Sequence, residues 1–490
     1  MHLCRPLVLC LACLLTLSAA PLRAQAPAAS LISNGDFEAA GEGDAPHWFA
    51  ANSPGRALVT EDGNRFLRLQ VVEPGQTLMA HRMVRVQPDH AAYELSYRVR
   101  YHDLKRGDKP WFDGRIMMNF KDVRGATVGN APTPYFAGTR DEWTARTYRF
   151  AVPDGAVSLE VMPALFRPKS GRIDFDDLRL VALSPADTQA LLDAERAAAA
   201  EKDRRARLIA EDLARPGRSV ELKTHGNRVV GAAGAEVLLQ GLSVDSMQWG
   251  PGERVSWSIR VALDEWKANV IRLPVDDRRW FGEEKASAAY RKQVDDAVAL
   301  CAARGAYLIL DYHGFGAPRP RHVDFWKDAA ARYANHPAVL FELFNEPHGI
   351  SWKLWRDGGD LRTDRHKDEN PAENQLQSEG DFTQGMQALV DAVRGTGAKN
   401  IVLVGGLDWA YDLTGVVDGY ALDDRGGNGI VYVSHIYPWK TGWAKKVRAA
   451  AADTGGPVGI EVDGGERVPR PAQQRGAPLR PIGANLQAGR

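Results

Sequence analysis

Apolar and polar residues alternate along short stretches of residues 31–183, such as RFLRLQVV, YELSYRVRY, ARTYRFAV and RIDFDDLRLVAL. Clusters of Gly, Pro and Asp separate these stretches. A period of two puts successive side chains on opposite faces of a strand, and short strands divided by turn residues are typical of antiparallel sheets. The pattern therefore predicts an all-β sandwich domain over residues 31–183.

The pattern changes in residues 184–217, which are rich in Ala and in charged residues. Ser184 is placed to cap a helix, and Pro185 is placed in its first turn. The sequence RPG at 215–217 ends the run, because neither Pro nor Gly continues a helix well. We predict that this segment is a helical linker between two domains.

Beyond residue 218, continuous apolar stretches alternate with helical patterns. Apolar strands with helices between them indicate a parallel sheet that is covered on its faces. The sequence contains no glycine-rich dinucleotide turn, so an α/β barrel of the TIM type, (β/α)8, is favoured over a doubly wound sheet for residues 218–465. The predicted strands are 237–244, 268–275, 306–313, 339–346, 400–406, 430–437 and 456–463.

Residues 466–490 read as an irregular tail, rich in Arg, Pro and Gly and without strand or helix periodicity. A complete barrel needs an eighth βα unit, and that unit is not evident in the sequence. We therefore expect a C-terminally incomplete barrel, caused by a frameshift or a truncation, whose first and seventh strands keep unpaired edges. Such edges predict poor solubility and weak turnover.

The 490-residue chain balances 62 Lys and Arg against 62 Asp and Glu, so no global basic field indicates a nucleic-acid partner. Residues 1–24 are typical of a secretory signal peptide, whose apolar run is too short to span a membrane. We expect a secreted or periplasmic monomer, with lipid attachment at Cys13 as the weaker alternative. Cys301, the one cysteine beyond the signal, lies in a helical pattern and is predicted to be a core residue.

Ionisable and hydrogen-bonding residues recur at the ends of the predicted parallel strands. In a barrel, the carboxyl ends of the strands meet at one face, where the loops build the active site. A purely structural barrel would carry small or apolar residues there. The residues at these ends are Arg272, Asp311, His313, Asn345, Glu346, His435, Tyr437 and Glu461.

The motifs NVIRLPV, LDYHG, FELFNEPH, VSHIYP and PVGIEVDGG, in this order, resemble the strand-end signatures of glycoside hydrolase family 5, the cellulase-like retaining glycosidases. The front domain, with NGDFEAAGEGDAPHW at its start and GRIDFDDLRLV at its end, resembles a galactose-binding-like jelly roll that serves as a carbohydrate-binding module. GIEVDGG departs from the family's usual Gly-Glu-Phe-Gly, and the eighth-strand tryptophan of the family is absent.

The resemblance implies that Glu346 is the acid/base and Glu461 the nucleophile of a double displacement. Glu346 must then start protonated, so we expect its pKa to be raised, whereas donors such as Arg272 and Tyr437 should keep Glu461 ionised. Asn345 would bond the 2-hydroxyl of the sugar, and His313 and His435 would orient substrate and carboxylates. The alternatives are a capping role for Glu346, a surface turn for Glu461 and core positions for the histidines.

Tryptophans near the strand ends are candidates for stacking on sugar rings. Trp352, Trp355 and Trp439 are the first choices, because they fall in predicted loops, although core or loop packing explains any one of them equally well. In the front domain the corresponding candidates are Trp111, Trp143 and Tyr135, for each of which packing in the core is the main alternative.

The sequence thus predicts a secreted endoglucanase-type glycosidase that acts on a polysaccharide or oligosaccharide. β-1,4-Glucan is the first choice of substrate, and mannan, xyloglucan and β-1,3-glucan are the alternatives. No metal or organic cofactor is implied, because no cluster of ligands accompanies the histidines. The competing hypothesis is a glycan-binding protein whose truncated barrel has lost catalysis.

Overall fold

A computed structural model describes residues 29–39, 48, 54–109, 111–245, 247–252, 254–362, 382–437, 439–442, 444–448, 458–461 and 480–482 of the protein. The chain divides into two compact units, residues 1–200 and 201–490. The signal segment and most of the tail lie outside the described residues. No helix among the described residues is both long enough and apolar enough to cross a membrane.

The first unit consists of two antiparallel sheets. One has the strand order β1-β2-β10-β5-β8, and the other has the order β3-β9-β6-β7, with β4 also paired to β9. The strands are β1 Arg56–Glu61, β2 Asn64–Gln70, β3 Thr77–Met79, β4 Arg82–Arg85, β5 Ala92–Lys105, β6 Gly114–Lys121, β7 Tyr135–Phe136, β8 Gly138–Ala151, β9 Ser158–Phe166 and β10 Ser170–Ala182.

Alternating burial explains why these strands form two layers. Along β6, for example, every second residue is buried, so that Ile116 and Phe120 point inward while their neighbours are only partly covered. Leu95 of β5 and Val161 of β9 join them in one hydrophobic cluster that draws on both sheets. Each strand therefore contributes one apolar face to a shared core, as in a sandwich.

A long helix, α1 Pro185–Leu213, follows the last strand of the first unit. The hydroxyl oxygen of Ser184 accepts a hydrogen bond from the backbone N–H of Asp187 at 3.1 Å. This contact satisfies one of the amide donors that every helix leaves free in its first turn. Ser184 is thus the helix cap that the sequence indicates.

The second unit alternates strands and helices along the chain. Its described elements, in chain order, are β11 Leu222–His225, β12 Arg228–Gly231, β13 Gly241–Ser243, α2 Val255–Asp264, β14 Val270–Val275, α3 Asp277–Trp280, α4 Glu284–Ala303, β15 Tyr307–Tyr312, β16 Phe315–Gly316, α5 Pro320–Arg332, β17 Val339–Glu342, β18 Glu346–Pro347, α6 Trp352–Asp357, β19 Gly359–Asp360, β20 Phe382–Thr383, α7 Gly385–Gly395, β21 Val402–Gly405, α8 Leu407–Ala410, β22 Ile430–His435, β23 Val458–Glu461 and β24 Arg480–Ile482, with π-helical turns at Val416–Tyr420 and Ala444–Arg448.

Seven strands of this unit pair in parallel, in the order β13-β14-β15-β17-β21-β22-β23. Each falls inside one of the seven stretches predicted from the sequence. Successive residues pack into different clusters: Ile271 and Leu308 lie with the helices, whereas Val270 and Ile309 lie in a second cluster made mainly of strand residues. Both faces of the strands are therefore buried, which explains their continuous apolar sequences.

The expectation that the tail contains no strand is wrong, because Arg480–Ile482 forms β24. This strand pairs antiparallel with β13, with Ile482 opposite Gly241, so the edge of the first parallel strand is not bare. Its three residues include a proline and show no alternation, and the strand exists only through pairing with an edge already present. Being antiparallel, β24 is not the eighth strand of a βα series.

The C-terminal end of α1 is anchored by a buried carboxylate. Asp212 is 1% exposed and accepts hydrogen bonds from Arg260 of α2 and from Nη2 of Arg304, the latter at 2.6 Å. Arg304 also bonds Asp264, at the end of α2. Arg215 also pairs with Asp212, at 3.3 Å, and a buried carboxylate with several guanidinium partners is stabilising only while its partners remain in place.

We expect Asp212→Asn to lower the free energy of unfolding by about 3–5 kcal/mol, because it removes the buried anion that Arg260 and Arg304 share and leaves their two charges with Asp264 alone. Glu201→Gln, on the same helix, is the matched control, since Glu201 pairs with Arg204 and Arg205 in full contact with water and should not change stability. Urea unfolding of the three proteins measures the difference. Equal midpoints for the two variants would contradict the anchoring role of Asp212.

Candidate active site

Five polar side chains gather where the carboxyl ends of the parallel strands meet. Arg272 lies on β14, Asp311 on β15, Glu342 on β17, Glu346 on β18 and His435 on β22. All five are buried. Buried charges are rare unless they are paired, so their grouping at the catalytic face of a parallel sheet indicates a functional site.

Arg272 is the central cation of this group. Its Nε donates to Oε2 of Glu342 at 2.6 Å, and its Nη2 donates to Oε1 of the same carboxylate at 2.7 Å. Nη2 also lies 3.0 Å from Oδ2 of Asp311 and donates to Oδ1 of Asn345 at 2.8 Å. Arg272 is thus bound to the ends of two neighbouring strands, β15 and β17, and to Asn345 just beyond β17, a set of partners that the sequence did not reveal.

Glu346 is held at its carboxylate and at its backbone. One carboxylate oxygen, Oε1, lies 3.0 Å from Nδ1 of His435 and accepts a hydrogen bond from the hydroxyl of Tyr437 at 3.1 Å. The backbone N–H of Glu346 donates to the carbonyl of Gly314 at 3.0 Å. The rigid Asn-Glu-Pro segment therefore presents a carboxylate whose position is fixed by two other strands.

The pKa of Glu346 is lowered, contrary to the expectation from the sequence. Burial raises the pKa of this carboxyl, but the hydrogen bonds from His435 and Tyr437 favour its charged form and outweigh burial. The expected upward shift would need a second negative charge close by, and Glu461 is the residue expected to supply it. The side chain of Glu461 lies outside the described residues.

Glu342 and Asp311 share one guanidinium, and their pKa values move in opposite directions. Burial raises the pKa of Glu342, but the charge and hydrogen bonds of Arg272 outweigh it and lower the value to about 2. For Asp311, burial outweighs Arg272 and raises the pKa to about 6, and the charge of Glu342 adds to the rise. The strand-end pattern does not indicate Glu342, although an acid inside the apolar strand VLFE is itself a signal.

His313 is oriented by the neighbouring Asp311. Its Nδ1 lies 2.8 Å from Oδ2 of Asp311. Its ring meets the edges of Trp249 and Phe315, with ring centroids 6.0 and 5.2 Å away. An acid on one ring nitrogen fixes the tautomer and leaves the other nitrogen for a further partner.

The position of Glu461 is described for its backbone only. Glu461 is the last residue of β23 and stands in register with His435 on the adjacent β22. The strand pairing therefore puts Glu461 at the same end of the sheet as His435. The distance between the two predicted catalytic carboxylates lies outside the described residues.

The three tryptophans chosen as sugar platforms have different environments. Trp355 is completely buried on α6, with its indole N–H donating to the carbonyl of Gly405 at 3.0 Å, so the expectation for Trp355 is corrected. Trp352, on the same helix, packs against Trp355 and Tyr420. Trp355 is buried because Trp352–Asp357 forms a short amphipathic helix rather than the predicted loop. Trp439 is 60% exposed and stacks on Tyr437 at a centroid distance of 4.8 Å.

The short segment α8, which follows β21, has an unusual backbone. Asp408, Trp409 and Ala410 all have φ near 57°, in the left-handed region that costs L-residues about 1–2 kcal/mol each. Trp409 stacks on His348 at 4.6 Å, and Nζ of Lys440 donates to the carboxylate of Asp408 at 3.0 Å. Such strain persists only where the surroundings enforce it, and it is concentrated at functional sites.

Within the described ranges, no group of three or more His, Cys, Asp and Glu residues is arranged to hold a metal ion. The carboxylates and imidazoles of the strand ends bind one another and Arg272 instead.

The strand-end segment is similar to a family of known proteins. Residues 230–456 match the family Cellulase (glycosyl hydrolase family 5). Endoglucanase A of Butyrivibrio fibrisolvens is 28% identical over 226 residues, which are 44% of this chain and 45% of that protein. Endoglucanase Z of Dickeya dadantii is 24% identical over 240 residues, 48% of this chain and 49% of that protein.

Among solved structures, the β-glucanase SdGluc5_26A of Saccharophagus degradans in complex with cellotetraose is 24% identical, with a TM-score of 0.38 over 52% of this chain and 76% of that one. The chain spans about half the length of the two curated relatives. Both relatives are named as endoglucanases. Residues 230–456 are accordingly similar to the cellulases of glycosyl hydrolase family 5.

Proposed function

We propose that this chain is a retaining glycoside hydrolase that cleaves internal β-glycosidic bonds of a plant-type polysaccharide. The observation that carries the proposal is the buried Glu346 carboxylate, bonded by His435 and Tyr437 within the family 5 segment. β-1,4-Glucan is the first substrate, in keeping with relatives named endoglucanases. Mannan, xyloglucan and β-1,3-glucan are the alternatives.

In the proposed double displacement, Glu346 gives its proton to the departing glycosidic oxygen while the Glu461 carboxylate attacks the anomeric carbon. The bond from that carbon to the leaving oxygen breaks, and a glycosyl ester of Glu461 forms. Water then attacks the same carbon and gives a proton to Glu346, and Glu461 leaves as a carboxylate. Both glutamates return to their first protonation state.

The low pKa of Glu346 fits this cycle if the charge of Glu461 changes during it. An ionised Glu461 near Glu346 raises the pKa of Glu346, because two carboxylates at about 5 Å repel each other, so the acid is protonated in the first step. Glycosylation removes that charge. The donors His435 and Tyr437 then favour the ionised Glu346 that the second step needs as a base.

The other site residues are proposed to bind the sugar. Asn345 would bond the 2-hydroxyl, and His313 and Arg272 would orient the substrate and the carboxylates. Trp439, with its exposed face, is the proposed stacking platform.

The first unit is proposed to bind glycan and keep the enzyme on its polymeric substrate. Trp111 and Tyr135 are 52% and 66% exposed, which leaves their faces accessible to a sugar ring. Trp143 is half-buried, with its ring packed on Phe66 and covered by Arg98 and Arg100, and is the weaker candidate. A signal peptide at residues 1–24 would direct the protein to the secreted or periplasmic space.

The competing function is that of a glycan-binding protein without catalysis. The unusual strand sequence around Glu461, GIEVDGG, favours it. Release of reducing sugars from a panel of polysaccharides, compared with affinity electrophoresis on the same panel, separates the two functions. Binding without release would leave only the competing one.

Glu346→Gln is expected to lower kcat on β-1,4-glucan by about 10²–10⁴-fold, because the leaving oxygen loses its proton donor. The loss should be smaller on aryl β-cellobiosides with acidic phenols, whose leaving groups need little protonation. Glu201→Gln is the control and should keep wild-type turnover. NMR of the early product should show the β-anomer first, and an α-anomer at that stage would contradict the double displacement.

Tyr437→Phe is expected to shift the basic limb of the kcat/KM profile to higher pH. The hydroxyl of Tyr437 stabilises the ionised form of Glu346, so its loss raises the pKa at which the acid is deprotonated. Tyr432→Phe is the matched control, because the hydroxyl of Tyr432, on β22, bonds the backbone of Leu422 instead. A basic limb that moves equally in both variants would contradict this role.

Trp111→Ala is expected to weaken binding of the full chain to insoluble cellulose by about two- to tenfold, since an aromatic contact contributes about 0.5–1.5 kcal/mol. Trp266→Ala removes an equally exposed tryptophan of the second unit and serves as the control. Depletion assays measure the bound fraction. The same affinity in both variants would remove Trp111 from the proposed glycan surface.

A further inference from the structure

Glu342 is completely buried, yet it lies between Arg272 and His435, two groups on which the proposed reaction depends. One side of its carboxylate binds Arg272 through two parallel hydrogen bonds of 2.6 and 2.7 Å. On the other side, its Oε1 lies 3.8 Å from Nε2 of His435. With no exposed surface, Glu342 cannot reach a substrate itself.

Through its hydrogen bonds to Arg272, Glu342 determines how the side chain of Asn345 is oriented. Two parallel bonds to one carboxylate fix the plane of a guanidinium group. In this orientation, Nη2 of Arg272 donates to Oδ1 of Asn345 at 2.8 Å. Because that oxygen is the acceptor, the amide nitrogen of Asn345 is left as a donor for a sugar hydroxyl.

The His435 side of Glu342 acts on the acid/base. Nδ1 of His435 lies 3.0 Å from Glu346, and its Nε2 faces Glu342, so the imidazole lies between two carboxylates. A negative charge on each side favours the protonated ring and holds an N–H on Nδ1 towards Glu346. The charge on Glu342 therefore influences Glu346 indirectly, by favouring the protonated form of His435 between them.

We propose that Glu342 is a positioning residue that orients Asn345 through Arg272 and orients and charges His435 beside Glu346. One buried carboxylate thus prepares both the contact to the sugar and the acid/base. The kinetic consequence rests on the proposed glycosidase function, whereas the effect on His435 does not.

The charge of His435 depends on every ionisable group around it. The groups on the packed elements are Glu342 on β17, Glu346 on β18, Tyr437 after β22, Arg272 on β14 and Asp311 with His313 at the end of β15, and Glu461 stands beside His435 in the backbone register. Glu342→Gln changes only one of these charges and keeps the shape of the side chain.

The first test compares Glu342→Gln with Asp212→Asn. Asp212 is also a buried carboxylate shared with arginines, but it lies on α1 and has no proposed role in the reaction. Both variants should lose stability. Only Glu342→Gln should lower kcat on β-1,4-glucan, by about 10²-fold, while KM changes less than about threefold. The reason is that misplaced groups weaken the binding of the transition state more than the binding of the ground state. Equal kcat in the two variants would overturn the proposal.

The second test isolates the Asn345 contact. An aryl β-cellobioside and its analogue without the 2-hydroxyl on the reacting sugar are compared in wild-type and Glu342→Gln proteins. The analogue cannot use Asn345, so the variant should lose less activity on it than on the parent compound. The same loss on both substrates would overturn the part of the proposal that runs through Arg272.

The third test needs no activity. NMR titration of the full chain, with the His435 signal assigned by its loss in His435→Asn, should show a lower midpoint for His435 in Glu342→Gln and an unchanged midpoint in Asp212→Asn. An unchanged midpoint in Glu342→Gln overturns the proposal, whatever the activity. An inactive wild-type chain with the shifted midpoint would refute the proposed function and keep the positioning role.

If Glu342→Gln does not fold, Glu342→Asp replaces it. The shorter acid keeps its charge but cannot bind both Arg272 and His435 at the present distances. It should lower kcat by about tenfold while the His435 midpoint stays near the wild-type value. Wild-type kcat in Glu342→Asp would overturn the proposal.

Discussion

The carboxyl end of the parallel sheet depends on how the burial of Arg272 is compensated. A guanidinium that is removed from water loses its hydration, and the protein must replace it with anions and acceptors in good geometry. Asp311 supplies them from the end of β15, and Glu342 and Asn345 supply them from the end of β17 and the residues just beyond it. Because Arg272 lies on β14 and its partners lie on or just beyond β15 and β17, correct pairing of these three strands is required before the charge is satisfied.

Arg272 affects the pKa values of the two acids that share it, Glu342 and Asp311, to different extents. Glu342 makes both hydrogen bonds of the fork and stays ionised, whereas Asp311 makes the poorer contact, and burial raises its pKa to about 6. The ionised Glu342 then faces His435, which in turn contacts Glu346. A requirement of folding, the neutralisation of one buried guanidinium, therefore also determines the electrostatic surroundings of the proposed acid/base.

Local sequence predicted the elements whose signal is repeated along the chain. Seven apolar runs gave the seven parallel strands, because a strand buried on both faces must be apolar throughout. The alternating stretches of residues 31–183 correspond to strands with one buried face. Prediction failed where the signal was short: β24 has three residues and exists through pairing with β13, and the α6 segment with Trp355 was interpreted as a loop although its side chains pack in the core.

By itself, the sequence determined which residues stand at the ends of the strands, since strand boundaries follow from hydrophobicity, and a parallel sheet brings its carboxyl ends to one face. It indicated Glu346, Asn345, Arg272, His435 and Tyr437 as neighbours for that reason. Only the tertiary structure decided which of these side chains form hydrogen bonds and ion pairs with one another. Arg272 pairs with Glu342, and the pKa of Glu346 is lowered rather than raised. These outcomes depend on distances of a few ångströms between different strands, and local sequence patterns carry no information about such distances.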